Sequence, residues 1–550
     1  MRRLLVIPAV LLLLLGVAMV LSGSAVEKRA DFTFVNRGDV KTLDLSKMSY
    51  LQDIRLAYAL WEGLYTLDPV TLDPVPGCAE PIDVSADQKT YTFHIRPTAR
   101  WTNGDPLLAA DFVFAWKRML DEQGEYAELL QYIDGAKEYQ DASAAGKHPD
   151  FRSVAVETDA GDPRLLRVRL RHVTTFFPAL CAFPCYFPCH EKSMMAMDEK
   201  THLPAVRSDF TRPPYLVTNG PYRFDQWQFK RKLRLVASEH YWNRPAVKSN
   251  VIDMVVIDDQ QNALAAYETG SVDWLSDVGG VYGAELHKQG RRDLHVFPGF
   301  GTYYYSFNCR EKLPDGSVNP LRQAAVRRAL AMAVEKPFIV DNITRMGQPV
   351  ATTYIPRGVF KGYESPAGLP FDVAAARQQL AEAGYPGGRG FPVLKINFNT
   401  DDIHKDVAEY LQRQWQQNLN IAVELDGKEL KTYGEQLHHK EYSISRASWI
   451  GDYDDPSTFT DKYRPESGGN DSDWKNDQYE ALCKRAETET DNAVRLKLFH
   501  DAEEILLAEA PVMPLYYYVD SYMFRDNVKG VPLNPRNMIM LHAVEVGHQR

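Results

Sequence analysis

The segment Ser445–Phe459, reading SRASWIGDYDDPSTF, sets a guanidinium at Arg446, an aromatic plate at Trp449, a small residue at Gly451 and a carboxylate at Asp452. Alternation from Tyr442 to Arg446 predicts a short strand, and Gly451 with the Asp454-Asp455-Pro456 cluster predicts where it breaks into a loop. Arg446 and Asp452 are too far apart in sequence to be helical neighbours. One extended segment therefore offers a cationic and an anionic contact at separated points, the electrostatic outline of a zwitterion such as a peptide with its ammonium and carboxylate ends. Taken alone, Asp452 reads as a solvated loop acid. A calcium loop fits poorly, because Pro456 and Tyr463 stand where an EF-hand needs a ligand and a glutamate.

The elements that must position this segment follow from periodicity. Strands are expected at Asp31–Val35, Tyr91–Arg96, Val154–Val156, Leu165–Leu170, Leu233–Val236, Val251–Ile257 and Val272–Leu275. Helical spacing runs from Leu51 to Leu64, Gln260 to Tyr267, Arg322 to Val334 and Val373 to Ala383. Asp111 is expected to cap the helix FVFAWKRML. Strand Leu394–Asn399, helix Ile403–Asn418 and strand Ile421–Leu425 form a βαβ unit, which implies an α/β chain with parallel sheet and ligand sites at strand C-terminal ends.

A chain of 550 residues is too long for one core, so two to four domains are expected. Its 63 lysines and arginines against 73 aspartates and glutamates give a net charge of -10, which argues against nucleic acid as a partner. Met1-Arg2-Arg3 followed by an apolar run from Leu4 to Leu21 and the small residues Gly23-Ser24-Ala25 reads as an export signal over residues 1–26. The run is long enough to span a bilayer, so an uncleaved anchor is the alternative. Ser24 stands where lipid attachment would need a cysteine. Cys181, Cys185 and Cys189 recur every four residues before His190, but Pro184 and Pro188 break the helix that would align them. A proline-broken loop with buried thiols or one local disulfide is the expectation, and a metal site the lesser alternative. There is no GxSxG elbow, HExxH pair or phosphate-binding Gly-rich loop, so neither an enzyme nor a cofactor is expected.

Several stretches in order resemble the periplasmic oligopeptide-binding proteins, the extracytoplasmic solute-binding subunits (family 5) of peptide ABC importers. They are LWEGLYTLDP from Leu60, TFHIRPTARWTNGDPLLAADFVFAWKRM from Thr92, VTNGPYRFDQW from Val217, ASEHYWN from Ala237, TYYYSFN from Thr302, LAEAGY from Leu380 and APVMPLYYYV from Ala510. The resemblance implies a two-lobe periplasmic-binding-protein fold with a third domain inserted in the first lobe. Lobe I would comprise residues 27–61, 187–300 and 521–550, the insert 62–186 and the opposing lobe 301–520, with hinge crossings near Phe300 and Asp520. It also implies a monomer outside the cytoplasmic membrane that captures a short peptide and delivers it to permease subunits. Related folds carry murein peptides, metal chelates or sugars, and an anchored or sensory binding protein without transport is the second reading.

Residue by residue, the resemblance makes Asp452 the partner of a peptide α-ammonium and Arg446 and His404 partners of its carboxylate end. Tyr126 would touch the peptide backbone from the insert, Ser448 and Ile450 would pair with it as an added strand, and Trp449 would wall a side-chain pocket. Ser49, Leu51 and Ser306 fall among the ligand-facing positions. Ser49 and Ser306 replace acidic residues, Leu430 a tryptophan, Leu437 an arginine, Gly299 a tyrosine and Thr344 a lysine, with Arg345 beside it. Gly301 and Ile450 replace two cysteines that form a disulfide in the family. The ammonium end is thus retained while the carboxylate end and pocket linings differ. An N-acetylated peptide should therefore bind far more weakly than its free-amine twin in calorimetric titration, and equal affinities would show that the N-terminus is not read.

Overall fold

The computed structural model describes residues 28–547 apart from 37, 199–203, 401–402 and 466, so the segment expected as an export signal lies outside the described residues. No described helix is long and apolar enough to cross a membrane. One ten-stranded sheet runs through the molecule. Its first half carries Tyr222–Gln228, Lys232–Ala237, Val251–Val255, Phe32–Val35 and Trp274–Leu275, with Phe32–Val35 parallel to both its neighbours. Its other half carries Ile444–Ile450, Leu394–Asn399 and Val423–Lys428. The last two strands are parallel and are joined through helix His404–Leu419, the βαβ unit read from the sequence.

Two long strands, Leu294–Phe307 and Val512–Phe524, join the halves. They pair antiparallel from Leu294↔Met523 to Pro298↔Val519, lose register, and resume at Thr302↔Tyr517. Beyond the break the first strand also pairs with Ile444–Ile450, from Gly301↔Ile450 to Phe307↔Ile444. Gly301 is required there: a Cβ would sit 2.4 Å from Ile450 Cδ1 and 2.6 Å from the Trp449 carbonyl oxygen. Alternation along the strand sends Tyr303 and Tyr305 into one core and Tyr304 into another, and all three are fully buried. The sheet in this half is covered on both faces.

A smaller four-stranded sheet, in the order Asp83–Val84, Thr90–His94, Leu165–Arg169, Val156–Thr158, lies in the segment expected as the insert. Its core is continuous with that of the first half, since Phe93, Trp101 and Trp116 belong to the same buried cluster as Phe32 and Trp274. The Phe177–Pro188 segment is a buried passage through this core, with a short helix at Phe177–Cys181 and a 3-10 turn at Pro184–Tyr186. The six cysteines are free thiols, so the local disulfide is absent. His190 is engaged with Asp105 at 3.0 Å and accepts from the Ser193 N–H.

Several boundaries differ from expectation. The helix expected to Leu64 ends at Leu60, because Glu62 turns inward to accept from Tyr241 Oη at 2.5 Å and Trp242 Nε1 at 2.6 Å. Asp111 does not precede its helix. That helix spans Ala109–Asp121, and Asp111 reaches back from its first turn to accept the Leu108 N–H at 2.9 Å and Trp101 Nε1 at 3.1 Å. The strand expected at Tyr442–Arg446 spans Ile444–Ile450, which puts Ser448, Trp449 and Ile450 on the strand itself.

The loop after Gly451 is pinned rather than solvated. The Gly451 N–H donates to the Phe300 carbonyl at 2.8 Å, the Asp452 N–H to Thr458 Oγ1 at 2.9 Å, and Trp449 Nε1 to the Thr458 carbonyl at 2.7 Å. Asp455 forms a buried ion pair with Arg495, with Nη2 at 2.8 Å from Oδ1, and also accepts the Ser457 N–H. Arg495→Met should strand the Asp455 carboxylate and cost about 3–5 kcal/mol, read as a lowered denaturant midpoint for this half of the molecule.

Candidate functional site

Between the two halves lies a cavity of about 620 Å³. From the first half come Ser49, Leu51, Tyr58, Tyr126 and Phe183, and from the other Ser448, Ile450 and Asp452. The joining strands supply Phe300, Tyr518 and Asp520, which form its floor. On the other side of Asp452 a second chamber of about 710 Å³ is walled by Trp449, Phe176, Tyr453 and Glu128. Tyr453 stacks on Phe176 with ring centroids 5.8 Å apart, closing the two halves on each other beside Asp452. Both volumes fall in the range of ligand sites, roughly 300–1,000 Å³.

Asp452 faces both chambers. Burial raises its carboxyl from 3.8 to about 7, the negative charge of Glu128 adds to the rise, and the Tyr126 hydroxyl pulls the other way. No cation stands among the groups that set its state. A carboxylate so placed favours whatever brings it a positive charge and hydrogen-bond donors.

The strand leading to Asp452 has an open edge. On one side it pairs throughout with Gly301–Phe307, while on the other Leu394–Asn399 meets it only at Ile444 and Ser445. Beyond Ser445 that edge has no strand partner among the described ladders, and Ser448 and Ile450 line the 620 Å³ cavity. Unpaired edges of this kind accept an added strand.

Six of the residues singled out in the sequence, Ser49, Leu51, Tyr126, Ser448, Ile450 and Asp452, thus meet in one cavity, and Trp449 lines the adjoining chamber. Arg446 and His404 meet at Tyr303 instead. The Arg446 guanidinium sits 5.1 Å over the Tyr303 ring and donates to Asn399 Oδ1 at 3.4 Å, and Tyr303 Oη meets His404 Nδ1 at 3.1 Å. Tyr518, edge-on to Tyr303 at 6.2 Å, lines the cavity, whereas Arg446 and His404 line neither chamber. Ser306 is sealed in the sheet at 1% exposure, with its hydroxyl 3.0 Å from Tyr442 Oη, and lines neither chamber. Leu430, Leu437, Gly299, Thr344 and Arg345 also lie outside both linings. Sequence reasoning missed Glu128, and it missed Arg536, the one lysine, arginine or histidine lining the 620 Å³ cavity among the described residues. Arg536 follows a proline near the C-terminus and carries no pattern that marks it.

This architecture, two halves joined by paired strands around a shared cleft, is that of an extracytoplasmic binding protein. The family profile described as "Bacterial extracellular solute-binding proteins, family 5 Middle" matches residues 73–471, and the chain belongs to that family. It is 36% identical over 471 residues to the oligopeptide-binding protein OppA of Bacillus subtilis, covering 84% of this chain and 82% of that one. It is 31% identical over 484 residues to the dipeptide-binding protein DppE of the same organism, covering 85% and 83%. Among solved structures, the Escherichia coli murein tripeptide binding protein MppA superposes with a TM-score of 0.77 at 26% identity, over 95% of this chain and 99% of that one. Listeria monocytogenes OppA bound to peptide gives 0.74 at 25% identity, over 94% and 99%.

The state of Asp452 sets a pH dependence. Its contribution to stability is fully present below about 3.8 and is lost as pH rises through about 7, since the folded state then holds a proton the unfolded chain releases. An ammonium ligand needs the ionised form. Its affinity should fall by up to about tenfold per unit as pH drops below 7, with proton release seen by calorimetry in buffers of different ionisation enthalpy. Asp452→Asn should flatten this acid limb.

Proposed function

We propose that the chain captures short peptides in the cleft and delivers them to the membrane permease of an ABC importer. The observation that carries this is the unpaired edge of Ile444–Ile450 ending beside a half-buried carboxylate without a cation. A peptide laid along that edge supplies both missing partners at once: main-chain donors and acceptors for the strand, and an α-ammonium for Asp452. Main-chain pairing is blind to side chains, and cavities of this size admit water where a side chain finds no fixed partner. Peptides of differing sequence are then accepted. The names of the relatives, oligopeptide-, dipeptide- and murein tripeptide-binding proteins, support the same ligand class.

The ligand carboxylate in this reading turns toward Arg536, which lines the cavity, rather than toward Arg446, which lines neither chamber. Lobe I, the insert and the opposing lobe divide as 27–61 with 187–300 and 521–550, 62–186, and 301–520, and Phe300 and Asp520 in the joining strands act as the hinge. Closure is driven by a ligand that touches both sides, since only differential contacts shift such an equilibrium. The protein binds without turnover, acts as a monomer, and is exported by its N-terminal segment.

Two measurements test this. Native mass spectrometry of the purified protein should show retained peptide, and a bound sugar or bare metal would reject the ligand class. Asp452→Ala should weaken a free-amine tripeptide by about thirty-fold to a few thousand-fold, the loss of a buried ion partner worth roughly 2–5 kcal/mol. Unchanged affinity in a folded variant would remove Asp452 from the site.

A further inference from the structure

The chamber beyond Asp452 has a charge imbalance that one ammonium does not resolve. Its lysines and arginines are already committed, and His172 is the other basic side chain in its lining among the described residues. Lys462 pairs with Asp471 at 3.0 Å, Arg464 with Glu480 at 2.9 Å, and Arg495 with Asp455. On the opposite wall Lys137 pairs with Asp141 at 3.0 Å and Arg171 with Glu138. Of the acids, Glu480 and Glu487 are held by Arg464, and Asp461 lies 3.7 Å from the same guanidinium. Glu128 and Asp452 remain, and neither has a cationic partner among the described residues.

These two carboxylates come from opposite sides of the cleft. Glu128 sits in the 3-10 turn Ala127–Tyr132, two residues after Tyr126, and Asp452 follows the strand Ile444–Ile450. Each lines the same chamber, and each is close enough for Glu128 to oppose the ionisation of Asp452. Glu128 is exposed to the chamber, and a single α-ammonium on Asp452 leaves its charge unneutralised there. A second cation carried by the same ligand residue offsets it.

We propose that Glu128 and Asp452 together form a two-carboxylate pocket that selects peptides whose first residue has a basic side chain, the α-ammonium on Asp452 and the side-chain cation on Glu128. This rests on the peptide reading and names its preferred ligands. It also gives the cleft an electrostatic clasp, because a dication bridges acids contributed by both halves.

The test compares lysyl-alanyl-alanine with norleucyl-alanyl-alanine, which has a side chain of similar length and no charge, by calorimetry on the full chain and on Glu128→Gln. The wild-type protein should bind the lysine peptide at least about tenfold more tightly. In Glu128→Gln the ratio of the two affinities should fall to within about twofold of unity, and in wild type it should shrink at high salt. Equal binding of the two peptides to wild type, or a ratio that survives in Glu128→Gln, overturns the assignment of Glu128 while leaving peptide binding intact. Failure of both peptides to bind overturns the peptide reading and this proposal with it.

Discussion

A half-buried carboxylate with no cationic partner is an unfavourable arrangement, and the surrounding contacts hold Asp452 in it. The strand Ile444–Ile450 delivers the loop, the Gly451 N–H is tied to the Phe300 carbonyl, and the Asp455–Arg495 ion pair anchors the far side. Tyr453 on Phe176 then shuts the site. Each contact prevents the loop from relaxing outward, where Asp452 would be solvated and nothing would be gained by meeting a cation. The cost is electrostatic, and a cation brought to Asp452 would relieve it.

The two joining strands are where the halves meet. Their ladder is interrupted at Gly299–Gly301, and its register shifts once more between Tyr303 and Tyr304. Bending at Gly299–Gly301 breaks few hydrogen bonds, whereas bending elsewhere would tear the buried ladder and its tyrosine cores. The floor of the cavity is built from the same strands, through Tyr518 and Asp520.

Much of the frame was legible in residue patterns. The βαβ unit from Leu394 follows from apolar periodicity alone, and Gly301 and Ile450, flagged as a changed pair, are direct cross-strand partners. Errors cluster where long-range contacts override local signals. The helix after Leu51 stops early because Glu62 is drawn to Tyr241 and Trp242, which lie far away in sequence. Asp111 works from inside its helix because Trp101 supplies a second donor. The positions of Arg446 and Ser306 were expected from resemblance to a family; neither lines the two chambers, and Ser306 is sealed inside the sheet.

The sequence by itself determined that the chain is α/β, acidic, and built around a strand that ends in Gly-Asp, because period-two and helical apolar patterns are local and each strand carries its own. Which charges face each other was decided only by tertiary structure. Glu128 and Asp452 are separated by more than half the chain, and nothing near either residue says that the lysines and arginines of their chamber are taken. Coulomb energy depends on distance and burial in space, and both are produced by closing the two halves on one another.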